Sequence, residues 1–208
     1  MNKEMLKIFL DGIVKKNPII VLGLAISPVI VATGNLKSSI IMAIVTSITL
    51  VGIAVVTSLL RNSKISNKTR TIIIVAVSTI ITLVSIKLVE NEAPGIVVNL
   101  QFILPLTALE SIILVFFDKT NDKPVIPAVA KALGQGAGFS LIICIVGLIR
   151  EALTYGMIFG KKLPFDLKAD VWATSFGGFI ILGFTAAVIN FIYNLIKSRK
   201  EKTEDKSV

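Results

Sequence analysis

Histidine is absent from this chain, and Cys144 is the only cysteine. These absences exclude an intrachain disulfide and a metal site built from His and Cys of this chain alone. The chain also contains no Ser-His-Asp arrangement, EF-hand loop or Walker motif. The sequence therefore predicts neither a catalytic residue nor a metal site.

Charged residues are scarce as well, at 17% of the 208 residues, whereas 54% are hydrophobic. A soluble domain of this size needs more polar surface, so the excess apolar area is expected to face lipid. Six segments approach or exceed the ~20 apolar residues that cross a bilayer. They are residues 17–36, 38–60, 71–89, 95–117, 128–149 and 171–196. The sequence thus predicts a single all-α integral membrane domain with about six transmembrane helices.

The remaining segments are short. Residues 5–14 form an amphipathic stretch that is expected to lie in the membrane interface. Residues 155–170 form the longest external loop, and the charged tail, residues 197–208, is expected to be disordered.

The net charge of +9 comes from Lys and Arg between the apolar segments, without a basic stripe of interleaved aromatics. Loops that fix topology against an anionic leaflet explain it better than a nucleic-acid surface. The N-terminal arm, the loops after the second and fourth spans and the tail hold 16 of the Lys and Arg, and the other side holds 6. We therefore expect a multi-pass membrane protein with both termini cytoplasmic. Its Lys, Ile and Asn usage is compatible with an AT-rich bacterium, so the expected location is the bacterial cytoplasmic membrane.

Two spans carry a proline interruption, one around Ser27-Pro28 and one from Pro105 to Ser111. Each span opens a three-span half, so residues 1–104 and 105–196 would form inverted repeats. Broken helices at matching points of inverted repeats are typical of a site at the membrane midplane. Ordinary proline kinks are the alternative.

Glu110 is the acidic residue placed well inside a span. A carboxylate at that depth costs roughly 2.5–3.5 kcal/mol on insertion scales unless it is paired or protonated. It would be an ion or proton site or a polar contact to a partner subunit. The alternative is a shifted fourth span that leaves Glu110 near the interface.

Two further pairs of residues stand out in the fifth span. Gly134 and Gly138 form a small-xxx-small face, which predicts close helix packing. Arg150 and Glu151 point about 100° apart on a helix, so they are expected to pair with loops or a partner chain, or to anchor the helix at the interface.

Three elements of the chain resemble the paired membrane subunits of the Rnf and Nqr respiratory complexes, in particular the RnfE/NqrD type. The first element runs from Leu22-Gly23-Leu24 through Pro28 to Thr33, and the second from Pro105-Leu106 to Glu110-Ser111. The third is span five, which has a Gly-rich start (Gly134 to Phe139) and ends in Arg150-Glu151. Gly156 and Phe159-Gly160 follow it in a Gly-rich loop. The resemblance covers nearly the whole chain, to about Gly183.

In that family each subunit supplies two cysteines from its broken spans, and two subunits hold one iron–sulfur cluster. The matching positions here are Ser27 and Ser111. Serine is a poor iron ligand beside thiolate, so the chain is not expected to bind a cofactor alone, and two cysteines of a partner would not complete a four-thiolate set.

The resemblance implies a subunit of a redox translocase complex rather than a stand-alone enzyme. The chain would pack against a paralogous membrane subunit and act with flavin-binding redox proteins, which would hold the flavin. Such a complex could export electrons across the membrane. A small inverted-repeat ion or solute transporter that uses Glu110 is the competing hypothesis.

Overall fold

The computed structural model of the chain describes residues 3–13, 17–63, 65–110, 113, 124–164 and 168–204. The described residues form seven α-helices: α1 Lys3–Ile13, α2 Ile26–Ala32, α3 Leu36–Leu59, α4 Asn67–Glu90, α5 Pro94–Asn99, α6 Val125–Tyr155 and α7 Ser175–Glu204. Short 3₁₀ turns cover Leu60–Asn62, Pro105–Leu109 and Asp170–Ala173. After α6, β1 (Met157–Ile158) and β2 (Lys161–Lys162) pair as a small antiparallel hairpin.

Four of these helices are long and apolar enough to cross a membrane. They are α3 with the 3₁₀ turn that follows it, α4, α6 and the part of α7 up to Ile196. These four helices coincide with the predicted second, third, fifth and sixth spans. The prediction of an all-α membrane protein is confirmed.

The first and fourth predicted spans are interrupted. In the first, residues 18–22 form turns, Gly23 and Ala25 have φ angles of 64° and 58°, and the seven-residue α2 follows. In the fourth, α5 has six residues and leads through further turns to the 3₁₀ turn Pro105–Leu109. A proline kink bends a helix that continues on both sides. Here the helical path itself is lost, so the interruptions go further than ordinary kinks.

Helices α3 and α6 form the centre of the bundle. In their most apolar stretches 56% of the residues are buried, against 22% for α4 and 17% for α7. Small residues let α3 and α6 pack closely together. For example, a methyl group at Gly147 of α6 would overlap the hydroxyl of Ser39 on α3. The apolar outer faces of α4 and α7 are left for lipid or for other subunits.

Both ends of the described chain are helical. α1 packs against α6, and its location in the membrane interface stays a prediction. The tail, predicted to be disordered from Lys197, continues α7 as helix to Glu204. Lys, Glu and Arg are good helix formers, and extending a helix that already exists needs no new nucleation.

Candidate functional site

The two interrupted segments meet at an open cleft of about 440 Å³. The cleft is lined by five residues of the first interruption and four of the second, namely Gly23, Ala25, Ile26, Ser27 and Pro28, and Ile103, Leu106, Leu109 and Glu110. The segments that the sequence singles out as a possible midplane site therefore share one cavity. Ser111, the remaining residue of that predicted site, lies outside the described residues.

The second interruption is fixed to α4 through its buried side. The hydroxyl of Ser78 on α4 donates a hydrogen bond to the carbonyl oxygen of Ala108 at 3.2 Å. Thr107 is buried beside it and donates to the carbonyl of Leu104. With that side of the 3₁₀ turn bound to α4, the opposite side, which carries Leu106 and Glu110, lines the cleft.

Glu110 is the only charged residue among the described residues that line the cleft. Its Oε2 atom is buried and finds no hydrogen-bond partner in the part of the chain that the structure describes. An ionised carboxylate oxygen left this way in apolar surroundings is costly. The arrangement suits a carboxyl group that holds a proton or a cation, or that meets a donor from another subunit.

Ser27 is exposed to the cleft, whereas Pro28 is buried beneath it. No thiol lines the cleft within the described ranges, since Cys144 lies on α6 and is half-buried there. Across those same ranges, no group of three or more His, Cys, Asp or Glu is placed to hold a metal ion. A hydroxyl and a carboxyl group are thus the polar side chains that the described cleft offers.

Arg150 lies at the other end of α2 from the cleft and is 3% exposed. Its guanidinium donates to the carbonyl of Ile30 and the hydroxyl of Thr33, at the end of α2, at 2.5 and 3.0 Å. It also donates, at 3.0 Å each, to three successive carbonyls in the segment before α7, those of Trp172, Ala173 and Thr174. Arg150 therefore ties α2 to the start of α7.

Glu151 is 7% exposed and binds elsewhere. Its Oε2 accepts from the backbone N–H of Leu36, the first residue of α3, at 2.7 Å. Its Oε1 accepts from the N–H of Phe159 in the hairpin at 2.8 Å. The charged groups of Arg150 and Glu151 are bonded to loops and helix ends of their own chain, which is the pairing with loops that the sequence offered beside a partner contact or an interface anchor.

Gly134 and Gly138 lie on the face of α6 that packs against α1. A methyl group at Gly134 would overlap the carbonyl of Phe9, and one at Gly138 would lie 3.0 Å from the Cα of Ile13. A methyl group at Gly12 of α1 would in turn lie 2.7 Å from the backbone carbonyl carbon of Gly134. The structure thus places the small-xxx-small face in a close contact between two helices of this chain.

Asn17, absent from the predicted site residues, joins three elements. Its amide donates to the carbonyls of Ile13 on α1 and Gly138 on α6, each at 3.0 Å. Its Oδ1 accepts from the N–H groups of Ile19 and Ile20. An Asn directly before Pro18 at the start of an apolar segment is the signal for such a turn.

Comparisons with known proteins extend over the whole bundle. The family described as "Rnf-Nqr subunit, membrane protein" matches residues 5–197. The chain is 30% identical over 208 residues to a subunit of the proton-translocating ferredoxin:NAD(+) oxidoreductase complex of Clostridium ljungdahlii, with 97% of this chain and 96% of the relative covered.

Two further relatives carry related descriptions. A subunit of the Na(+)-translocating ferredoxin:NAD(+) oxidoreductase complex of Acetobacterium woodii is 29% identical over 183 residues, covering 86% of this chain and 93% of its own. A subunit of the ion-translocating oxidoreductase complex of Shewanella loihica is 27% identical over 213 residues, covering 93% and 90%.

Proposed function

Since the chain belongs to the Rnf-Nqr family of membrane subunits, we propose that it works in an electron-transfer complex without supplying iron–sulfur ligands of its own. The observation that carries this proposal is the chemistry of the cleft. The resemblance places cysteines at Ser27 and Ser111; of these two, Ser27 lines the described cleft with its hydroxyl, and the other polar side chain there is the carboxyl group of Glu110. Iron–sulfur clusters are held by thiolates, and neither group is one.

The redox centres of such a complex would lie in other subunits. Relatives named as subunits of oxidoreductase complexes support the presence of partners in general. We propose a paralogous membrane subunit, packed against this chain, and flavin-binding redox proteins that carry the electrons. Without a cluster at the cleft, the complex would serve a route that moves electrons outward to an extracytoplasmic flavoprotein.

A pulldown of the tagged chain in gentle detergent tests this proposal, with metal and flavin analysis of the material that co-purifies. We expect a second polytopic membrane protein and at least one flavin-carrying protein in the complex. The isolated chain should contain neither stoichiometric iron nor acid-labile sulfide. Finding both in the isolated chain would contradict the proposal.

We also propose that both termini lie in the cytoplasm, because the segments assigned to that side hold 16 of the 22 Lys and Arg. Lys3→Cys and Lys206→Cys, each in a Cys144→Ser background, test this orientation. An impermeant thiol reagent should leave both unlabelled in intact cells and label both after permeabilisation. Labelling of either in intact cells would reverse the assignment.

A second candidate function is ion or solute transport through the inverted repeats. The unpartnered Oε2 of Glu110 in the cleft favours it, since ionisable groups inside membranes mark ion and proton pathways. Reconstitution of the chain alone in liposomes separates the two candidates. Transport by the single protein, lost in Glu110→Gln, would favour the transporter; dependence on the partner proteins would favour the electron-transfer complex.

A further inference from the structure

The hairpin after α6 closes with a turn that strains a bulky residue. Phe159 and Gly160, the two central residues of the turn, have φ angles of 50° and 78°. Asn, Asp and Gly suit such a turn, whereas a bulky side chain with a positive φ is an outlier. Phe159 is 53% exposed, so packing of its ring within the chain does little to offset this strain. Strain of this kind is concentrated at functional sites.

The hairpin is held firmly against the start of α3. Oε1 of Glu151 accepts a hydrogen bond from the N–H of Phe159 at 2.8 Å, and Oε2 of the same carboxylate accepts one from the N–H of Leu36 at 2.7 Å. At the base of the hairpin, the N–H of Leu163 donates to the carbonyl of Gly156 at 2.9 Å. One buried carboxylate therefore keeps the strained turn and the first turn of α3 side by side.

These two segments carry three exposed lysines, Lys37 at the start of α3 and Lys161 and Lys162 in the hairpin. None of the three forms an ion pair with another residue that the structure describes. Residues 155–164 contain no Asp or Glu that would balance them. We call the surface formed by Phe159 and the three lysines the hairpin patch. It combines an exposed aromatic ring with uncompensated positive charge.

The position of these lysines is unusual for a membrane protein. The side of the membrane opposite the termini holds six Lys and Arg. Arg150 is bonded within the chain, Lys87 pairs with Glu90 at 2.8 Å, and Lys168 has contacts of its own. The other three are the lysines of the hairpin patch. Cations on outer loops act against the positive-inside rule, so a binding partner explains their concentration at one hairpin better than topology does.

The chemistry of the hairpin patch selects the partner. Lysines attract an acidic surface, and a buried aromatic ring is a common anchor of protein interfaces. The negative surface potential of lipids acts mainly at the cytoplasmic leaflet, so an acidic protein fits the outer face better than a lipid headgroup. We propose that the hairpin patch docks an extracytoplasmic protein through an acidic surface, with Phe159 entering an apolar pocket among the carboxylates. The inference rests on the orientation under the proposed function, which places the hairpin outside.

Photocrosslinking in intact cells that produce the whole complex tests this docking site. Tyr155, 47% exposed at the base of the hairpin, is replaced by p-benzoylphenylalanine, and the adducts are identified by mass spectrometry. We expect an adduct with an extracytoplasmic protein, attached within a segment rich in Asp and Glu. The same replacement at Phe191, an exposed aromatic residue near the other end of α7, should not give that adduct. Adducts with lipid alone, attachment to a segment without acidic residues, or equal yields at the two positions would overturn the proposal.

Charge reversal tests the lysines with the crosslinker kept at Tyr155. The double variant Lys161→Glu, Lys162→Glu should lower the adduct yield about ten-fold, because like charges would now face each other across the interface. Lys7→Glu, Lys68→Glu is the matched control, with the same change of charge at exposed lysines assigned to the cytoplasmic side. It should leave the yield unchanged. Equal yields in the two double variants would overturn the proposal.

Phe159→Asn separates docking from folding. Asn tolerates a positive φ, so the variant should unfold at the same temperature as the unmodified chain or above it. Loss of the aromatic anchor should lower the adduct yield about five-fold, and an unchanged yield would contradict the role of Phe159. The crosslink and the pulldown can also fail separately. An acidic partner without flavin would support the docking site and count against the proposed electron route, whereas a flavoprotein in the pulldown without any adduct at Tyr155 would overturn the docking site alone.

Discussion

Glu151 and Glu110 are both carboxylates in apolar segments, and both lie beside irregular backbone. The oxygens of Glu151 accept two backbone hydrogen bonds, from Leu36 and Phe159. The Oε2 atom of Glu110 is buried without a partner among the described residues, and the residue lines an open cleft. A buried charge that its own chain satisfies holds the fold together, whereas one left unsatisfied remains available to a ligand or a partner.

The two ends of α2 show the same contrast over seven residues. Its last turn is bonded to Arg150, through the carbonyl of Ile30 and the hydroxyl that follows at Thr33. Its first residues, Ile26 and Ser27, line the cleft. The hydrogen bonds at one end can thus keep the other end in place without a side-chain cap, since Ala25 supplies none. One end of this short helix is therefore bonded to the scaffold, and its other end lines the candidate site.

Replacement of Arg150 should have the largest effect on the scaffold. Arg150→Met removes the donor from four carbonyls and the hydroxyl of Thr33, and buried acceptors left unpaired cost about 1–3 kcal/mol each. We expect the free energy of unfolding to fall by at least about 3 kcal/mol. Thermal unfolding in detergent measures this loss.

The matched control is Lys162→Met, which changes an exposed cation of the hairpin. It should unfold like the unmodified chain. Equal midpoints for Arg150→Met and Lys162→Met would show that the Arg150 contacts contribute little, and the contrast between the two ends of α2 would then fail.

Close packing of α1 on α6 should give the next largest effect. Gly134→Ala forces a methyl group into the carbonyl of Phe9, and overpacking of this kind costs about 1–3 kcal/mol. Gly183→Ala, at a position with no atom near the added methyl group, serves as the control. Thermal unfolding should separate the two variants, and α1 should become more accessible to protease only in Gly134→Ala. Identical behaviour would mean that α1 can move aside without loss.

Glu151→Gln tests the satisfied carboxylate. The amide keeps one acceptor oxygen but presents its NH₂ group to a backbone N–H that had a partner. Because hydrogen bonds to charged groups contribute about 1.5–3 kcal/mol, we expect a loss of stability of about that size. A thermal midpoint equal to that of the unmodified chain would show that the charge of Glu151 is not needed by α3 and the hairpin.

Much of this architecture follows from the sequence, because a helix that crosses lipid must be apolar over about 20 residues. Apolar length located the four continuous helices, and the prolines Pro28 and Pro105 located both interruptions. Periodicity could not show that Arg150 and Glu151 bind within the chain, since most of their partners are backbone groups that lie over 100 positions away or in loops. The role of Asn17 depends on the same kind of distant partner, the carbonyl of Gly138.

Glu110→Gln should have the smallest effect on stability. The substitution keeps the shape of the side chain and removes no hydrogen bond at Oε2, which has no partner among the described residues, so we expect the stability of the isolated chain to change by no more than about 0.5 kcal/mol. The same change should impair electron transfer or assembly of the complex if the carboxyl group carries ions or protons or docks a partner.

Thermal unfolding of the isolated chain and activity of the purified complex are measured side by side with Glu151→Gln. A loss of stability as large as that of Glu151→Gln would mean that Glu110 has a structural partner after all. Full activity and intact assembly would show that the carboxyl group is dispensable, and the two carboxylates would then differ in pairing but not in function.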